Sequence, residues 1–243
     1  MYALITGTTN GIGKSLTTLL LSKNLKVIGV DRRLNNSFKN KNFLSKKIDI
    51  LNKKSVFSLI KNLKRKNQIP ECFILNAGIN IYDNDKILDM DLFRKCFDIN
   101  FFGVMNFVDA IEKLKIKQKK IVCISSTSNI IPNPKALGYF SSKLLLKKNF
   151  YLLNFNNSNN YKTIILGPVQ TKISRNLKKP KGTAGMIYKF LQISSEEAAI
   201  KILNFVNTSK KTLHVTFTAL ITYYLIKYLL IFMPSLYMKN DRK

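Results

Sequence analysis

Tyr139 and Lys143 stand four residues apart in Tyr139-Phe140-Ser141-Ser142-Lys143. On a helix that spacing puts both side chains on one face, where they can meet. An ammonium beside a phenol favours the phenolate, drawing down a group that titrates near about 10 when unperturbed. A phenol tuned in this way can give or take a proton at a carbonyl or alcohol oxygen. A short apolar run, Lys120–Ser125, ends in a hydroxyl at Ser125 with a second, Ser126, directly after it, shortly before the pair.

The second constellation is Thr6-Gly7-Thr8-Thr9-Asn10-Gly11-Ile12-Gly13 near the start of the chain. Glycines here permit a tight turn and close backbone approach to a pyrophosphate. The N-terminus of a following helix supplies unpaired N–H groups and a favourable dipole. Asp31 closes the next strand 18 residues after Gly13. A carboxylate in that place suits the adenosine ribose and repels a 2′-phosphate, favouring NAD(H) over NADP(H). Arg32 and Arg33 follow at once and keep NADP(H) as the alternative cofactor.

Such groups need a frame, and the hydrophobic periodicity supplies one. Short apolar runs read as strands at Tyr2–Thr6, Lys26–Asp31, Phe43–Ile48, Cys72–Asn76, Lys120–Ser125, Lys162–Leu166 and Leu213–Val215. Between them, helical periods cover Ile12–Lys23, Lys53–Lys66, Asp89–Lys113, Tyr139–Leu153 and Ser195–Asn207. This alternation predicts a single α/β domain, a doubly wound parallel seven-stranded Rossmann-type sheet over residues 1–216. Ligands then bind outside the carboxyl ends of the strands. Thr171–Met186 reads as an irregular, flap-like stretch, and Asn154–Asn160 as a polar turn.

The motifs, in this order, resemble those of the short-chain dehydrogenase/reductase family over nearly the full chain. The glycine loop matches TGxxxGIG, and Asn76-Ala77-Gly78 matches the NNAG element with Leu75 in place of its first Asn. Tyr139 to Lys143 matches YxxxK, and Gly167-Pro168-Val169-Gln170-Thr171 resembles PGxxxT with Leu166 in place of its proline. The resemblance implies that Ser126, 13 residues before Tyr139, polarises the substrate carbonyl and that Asn100 holds a relay water. Lys143 would also bind the nicotinamide ribose. Asp49 and Ile50 would meet adenine, while Val169 and Thr171 would meet the carboxamide. The expected catalytic set is thus Asn100, Ser126, Tyr139 and Lys143. The expected cofactor set is Gly7, Thr9, Asn10, Gly11, Ile12, Gly13, Asp31, Asp49, Ile50, Asn76, Ala77, Gly78, Tyr139, Lys143, Val169 and Thr171. Together they predict an NAD(P)-dependent oxidoreductase that interconverts a ketone and a secondary alcohol without a metal. A catalytically silent nucleotide-binding scaffold is the alternative.

Composition limits partners and setting. Lys and Arg number 41 against 13 Asp and Glu, a formal charge of +28. Because the lysines are spread along the whole chain, they predict no single basic face and no specific nucleic-acid site. Cys72, Cys96 and Cys123 lack metal or disulfide spacing and read as buried thiols, and His214 reads as structural. No export signal is visible, which favours a cytoplasmic setting. Leu220–Met233 is apolar but short for a span, and Pro234 ends it. With Lys239, Arg242 and Lys243 it reads as an interfacial or subunit-interface helix, so residues 217–243 are expected to allow peripheral membrane contact, at the inner membrane surface. The substrate is expected to be a small carbonyl or alcohol, lipophilic in character, and the chain a dimer or tetramer, as the resemblance implies.

Overall fold

The computed structural model describes residues 2–81, 88–127, 136–155, 158–171 and 192–216. Seven strands, β1 (Tyr2–Thr6), β2 (Lys26–Asp31), β3 (Phe43–Lys47), β4 (Cys72–Leu75), β5 (Lys120–Ser126), β6 (Asn160–Leu166) and β7 (Thr212–His214), form one sheet. Their order is β3-β2-β1-β4-β5-β6-β7, and every pair is parallel. The order reverses between β1 and β4, where such sheets open a crevice at their carboxyl ends.

Helices α1 (Gly11–Ser22), α2 (Lys53–Arg65), α3 (Met90–Phe97), α4 (Gly103–Lys113), α5 (Leu137–Leu153) and α6 (Ser195–Val206) return the chain between strands. Successive side chains of β1 enter opposite cores, as the period of two requires. Leu4 joins Ile28, Ile60, Phe73, Phe107 and Phe150 beneath α2, α4 and α5. Ala3 and Ile5 join Leu16, Leu20, Ile74, Ile164 and Ile202 beneath α1 and α6. Each such Leu, Ile or Phe stabilises the fold by about 1.5–3 kcal/mol on burial.

The elements match the expected ones closely, with one interruption. The continuous helix expected over Asp89–Lys113 is broken by a π-helical turn at Asp98–Phe102. The wider turn shifts the side chains that follow relative to those of α3, and the rings of Phe97, Phe101 and Phe102 pack together around it. Of the flap-like stretch, only Thr171 lies within the described residues; the whole of Leu220–Met233 lies outside them.

The expectation of no basic face needs correction. In an all-parallel sheet every helix ends, and every following strand begins, at the same edge. That edge collects windows 23–26, 64–71, 113–120 and 207–212, which hold twelve basic residues and one acidic residue, Glu71. The lysines are distant in sequence and neighbours in space.

All three cysteines are buried, as read from the sequence. Burial pushes the thiols of Cys72 and Cys123 up to about 12.

Candidate active site

The β1–α1 loop is shaped by backbone that only glycine tolerates well. Gly7 and Gly11 have φ of +76° and +51°. A Cβ on Gly13 would lie 2.0 Å from the Gly7 carbonyl oxygen, so the helix can start against the loop only if that residue lacks a side chain. Asn10 begins α1 in an extended conformation and its side chain does not cap the helix. Ile12 is buried in the core, whereas Thr9 and Asn10 are exposed. The first amides of α1 therefore suit an anion, and the loop fits a dinucleotide pyrophosphate.

Asp31 is 8% exposed, and both its oxygens serve this loop. Oδ1 accepts from the Thr8 N–H at 2.8 Å and Oδ2 from the Thr8 hydroxyl at 2.5 Å. Asn35 Nδ2 then donates to that hydroxyl at 2.8 Å. Burial raises the Asp31 pKa, and the Thr8 hydrogen bonds oppose the rise. Thr8 and Asn35 escaped the sequence reading because nothing in their spacing marks them. Arg32 and Arg33 are exposed.

The floor of the crevice is stitched by β4. Asn76 Nδ2 donates to the carbonyls of Thr6 at 3.0 Å and Gly7 at 3.1 Å, and the Ala77 N–H donates to Thr6 Oγ1 at 2.9 Å. Asp49 is exposed and its Oδ1 accepts from the Leu51 N–H at 2.9 Å, while Ile50 is buried against Gly103. Over the other side comes Thr171: its methyl lies 3.1 Å from where a Cβ on Gly11 would stand. Val169 is buried and bridges Ile193, with Gln170 N–H donating to the Ile193 carbonyl at 2.9 Å. Residues 160 positions apart thus meet at the loop.

The residues expected to handle the proton come from the end of β5 and the first turns of α5. Lys143 is 4% exposed. Its Nζ donates to the Ile124 carbonyl at 2.8 Å and lies 5.7 Å from the centre of the Tyr139 ring. Burial lowers its pKa to about 8. The Ser125 hydroxyl donates to the Lys143 carbonyl at 3.0 Å, fixing α5 to β5, and Ser126 ends the strand, also buried. Tyr139 itself is half-buried.

Asn100 sits on the π-helical turn with its side chain committed. It accepts from the Ile79 N–H at 2.8 Å and donates to the Ile79 carbonyl at 2.9 Å and to Ser142 Oγ at 3.2 Å. A Cβ on Gly78 would stand 2.9 Å from Asn100 Oδ1 and 3.4 Å from Lys143 Nζ. Gly78, Asn100 and Lys143 therefore share one closely packed spot. Next along, the Oδ1 of Asn80 is buried with no hydrogen-bond partner among the described residues. An unmet buried acceptor costs about 1–3 kcal/mol. His214 lies in β7, at the far edge of the sheet, paired with Ile165.

A parallel sheet in this order, with a glycine loop at its crevice, defines the Rossmann-type nucleotide-binding class. Residues 1–182 match the model of the short chain dehydrogenase family, and the chain belongs to that family. It is 34% identical over 151 residues to an uncharacterised oxidoreductase of Schizosaccharomyces pombe, covering 58% of this chain and 59% of that one. An uncharacterised oxidoreductase of Saccharomyces cerevisiae is 28% identical over 197 residues, covering 75% and 76%. The chain thus spans little more than half of the first of these relatives. A short chain dehydrogenase/reductase of Burkholderia phymatum, solved with NAD, has the same fold at a TM-score of 0.77 and 16% identity, covering 95% and 93%. One from Burkholderia cenocepacia, solved with NADP, gives 0.75 and 21%, covering 98% and 96%.

Proposed function

We propose that this protein is an NAD(P)-dependent oxidoreductase that interconverts a ketone and a secondary alcohol, with Tyr139 as the proton donor and acceptor. The observation that carries the reading is the buried Lys143, held 2.8 Å from the Ile124 carbonyl and 5.7 Å from the Tyr139 ring and close against Gly78, in a sheet whose first loop suits a pyrophosphate. A lysine buried at an energetic cost beside a phenol supports a chemical role for the pair.

The nicotinamide supplies the hydride when bound. The chain's own residues do the rest. Ser126 donates to the substrate oxygen, where negative charge develops. Tyr139 gives that oxygen its proton during reduction and recovers it during oxidation. Lys143 favours the Tyr139 phenolate by its charge and holds the nicotinamide ribose. Asn100, its side chain spent on Ile79 and Ser142, braces the segment that carries Gly78, so a relay water would rest on its main chain rather than its amide.

Asp31 favours NAD(H) through its charge, which opposes a 2′-phosphate even while its oxygens serve Thr8. The lysine-rich chain works in the cytoplasm on a lipophilic carbonyl, as a homo-oligomer, with residues 217–243 against an inner membrane surface or a second subunit. Among the described residues no helix is long and apolar enough to cross a membrane.

Stopped-flow turnover against a carbonyl panel tests the mechanism. Tyr139→Phe should keep NADH binding and lose at least a hundredfold in kcat; wild-type turnover in a folded variant would overturn the assignment. Cofactor binding without turnover of any carbonyl by the wild type would favour the silent scaffold. Titration of NADH against NADPH tests Asp31, and Asp31→Ser should narrow the preference.

A further inference from the structure

The edge of the sheet opposite the active site carries a charge pattern that composition alone does not produce. A genome biased toward lysine would coat every surface alike. Here the described residues at the carboxyl edge mix the signs, with Asp49, Asp89, Asp91, Glu196 and Glu197 beside Lys14, Arg32, Arg33, Lys53 and Lys54. The amino edge holds twelve basic residues in four of its connections against Glu71 alone, while the described residues of the α5–β6 turn carry no charge. Its nearest other acid, Glu112, is taken up by the Tyr161 hydroxyl and by Asn159 Nδ2.

Hydrogen bonds join three of these connections to one another, and 23–26 adjoins them through Tyr2, which pairs with Lys26 and whose carbonyl accepts from the Glu71 N–H at 2.9 Å. Lys64 Nζ donates to the Leu114 carbonyl at 2.7 Å, joining the ends of α2 and α4. Lys120 Nζ reaches Asn207 Oδ1 at 3.0 Å, and Lys211 Nζ reaches Asn160 Oδ1 at 2.8 Å. Helix C-termini attract cations, and that accounts for Lys64, Arg65 and Lys113 in the last turns. It does not account for Lys115, Lys117, Lys119 or Lys210, which lie beyond the helices and their caps.

Large apolar side chains emerge at the same edge. Helix α5 runs down to it, and Tyr151, Leu152 and Phe155 are 63%, 62% and 66% exposed. They stand beside the turn into β6, whose Asn160 N–H donates to the Lys119 carbonyl at 2.8 Å.

We infer that this amino-edge pole docks on an anionic lipid bilayer, with lysines at the headgroups and Tyr151, Leu152 and Phe155 entering the interface. Lysine charge draws a surface to anionic lipid, and aromatic and aliphatic side chains anchor it there. A polynucleotide fits less well. Tyr151 and Phe155 pack edge to face at 79° and offer no parallel platforms for bases, Leu152 offers none, and eleven of the twelve cations are lysines without the fork that reads phosphates and bases. A second copy of this face is opposed by like charge. Docked this way, the crevice at the carboxyl edge faces the water, open to cofactor.

Co-sedimentation of the full chain with vesicles tests the inference. Vesicles of phosphatidylcholine containing roughly a third phosphatidylglycerol should bind at least tenfold more protein than phosphatidylcholine alone. Lys66→Glu/Lys117→Glu/Lys210→Glu should lose at least tenfold, and Leu152→Ser/Phe155→Ser at least threefold. Lys54→Glu/Arg94→Glu/Lys95→Glu changes the total charge equally at the other half of the molecule and should stay within twofold. Residues 217–243 are common to all three, so a contact through them shifts all alike. Circular dichroism and NADH titration check folding, and Lys23→Glu/Lys26→Glu repeats the test should the first variant fail to fold. Equal losses in the two charge variants would reduce the effect to net charge and overturn the inference. So would single-stranded RNA bound in place of vesicles, or Leu152→Ser/Phe155→Ser splitting a dimer while vesicle binding stays unchanged.

Discussion

Lys143 is asked to be buried and charged at once. Burial brings its pKa down to about 8 from 10.5, so the ammonium is present at neutral pH and lost just above it. Two consequences differ in sign. The cost of the buried charge is present below about pH 8 and fades as pH rises toward 10.5, so this group's contribution to stability improves over that window. On the mechanism we propose, carbonyl reduction should instead fall as pH rises through about 8, because Tyr139 would lose its cation and the ribose its donor. A pH profile of kcat/KM for reduction checks this, and Lys143→Met should remove the inflection along with most of the activity. Gly78 carries a second prediction at this scale. Gly78→Ala places a methyl 2.9 Å from Asn100 Oδ1, and turnover should drop about tenfold or more with a smaller loss of thermal stability.

Elements hold these groups through a few tight approaches. A Cβ on Gly138 would lie 2.8 Å from Phe93 Cα and 2.9 Å from its carbonyl, so α3 and α5 touch backbone to backbone just before Tyr139. Gly138→Ala should therefore cost about 1–3 kcal/mol in denaturant unfolding and lower activity by displacing Tyr139. At the other end of the sheet Lys162 is fully buried, and its Nζ donates to the carbonyls of Thr208 at 2.6 Å and Lys210 at 2.7 Å in the turn that follows α6. It also sits 4.5 Å from the centre of the Phe205 ring. Lys162→Met leaves those carbonyls unmet, and a loss of about 1–3 kcal/mol is expected by thermal denaturation. The strands and helices were legible from periodicity to within a residue or two. The π-helical turn was not, because its hydrophobic pattern is that of an ordinary helix and only the Asn100 contacts to Ile79 and Ser142 disclose it.

For the whole molecule, a formal charge of +28 means that compactness works against self-repulsion. Raising ionic strength shortens the Debye length from about 30 Å at 0.01 M to about 10 Å at 0.1 M. The midpoint of thermal unfolding should rise over that range, and an unchanged or falling midpoint would mean that the repulsion is already offset in the fold.

Spacing alone determined that Tyr139 and Lys143 share a helix face and that a glycine loop links a strand to a helix, because both are local facts about periodic backbone. It also determined the alternation that demands a parallel sheet. Only the tertiary structure decided that Thr171 closes over Gly11, that Asp31 spends both oxygens on Thr8, and that Asn100 clamps Ile79. It alone gathered lysines from four distant connections onto one edge. Contacts of that kind depend on which strands become neighbours, and strand order is settled by how the two cores are buried rather than by any local pattern.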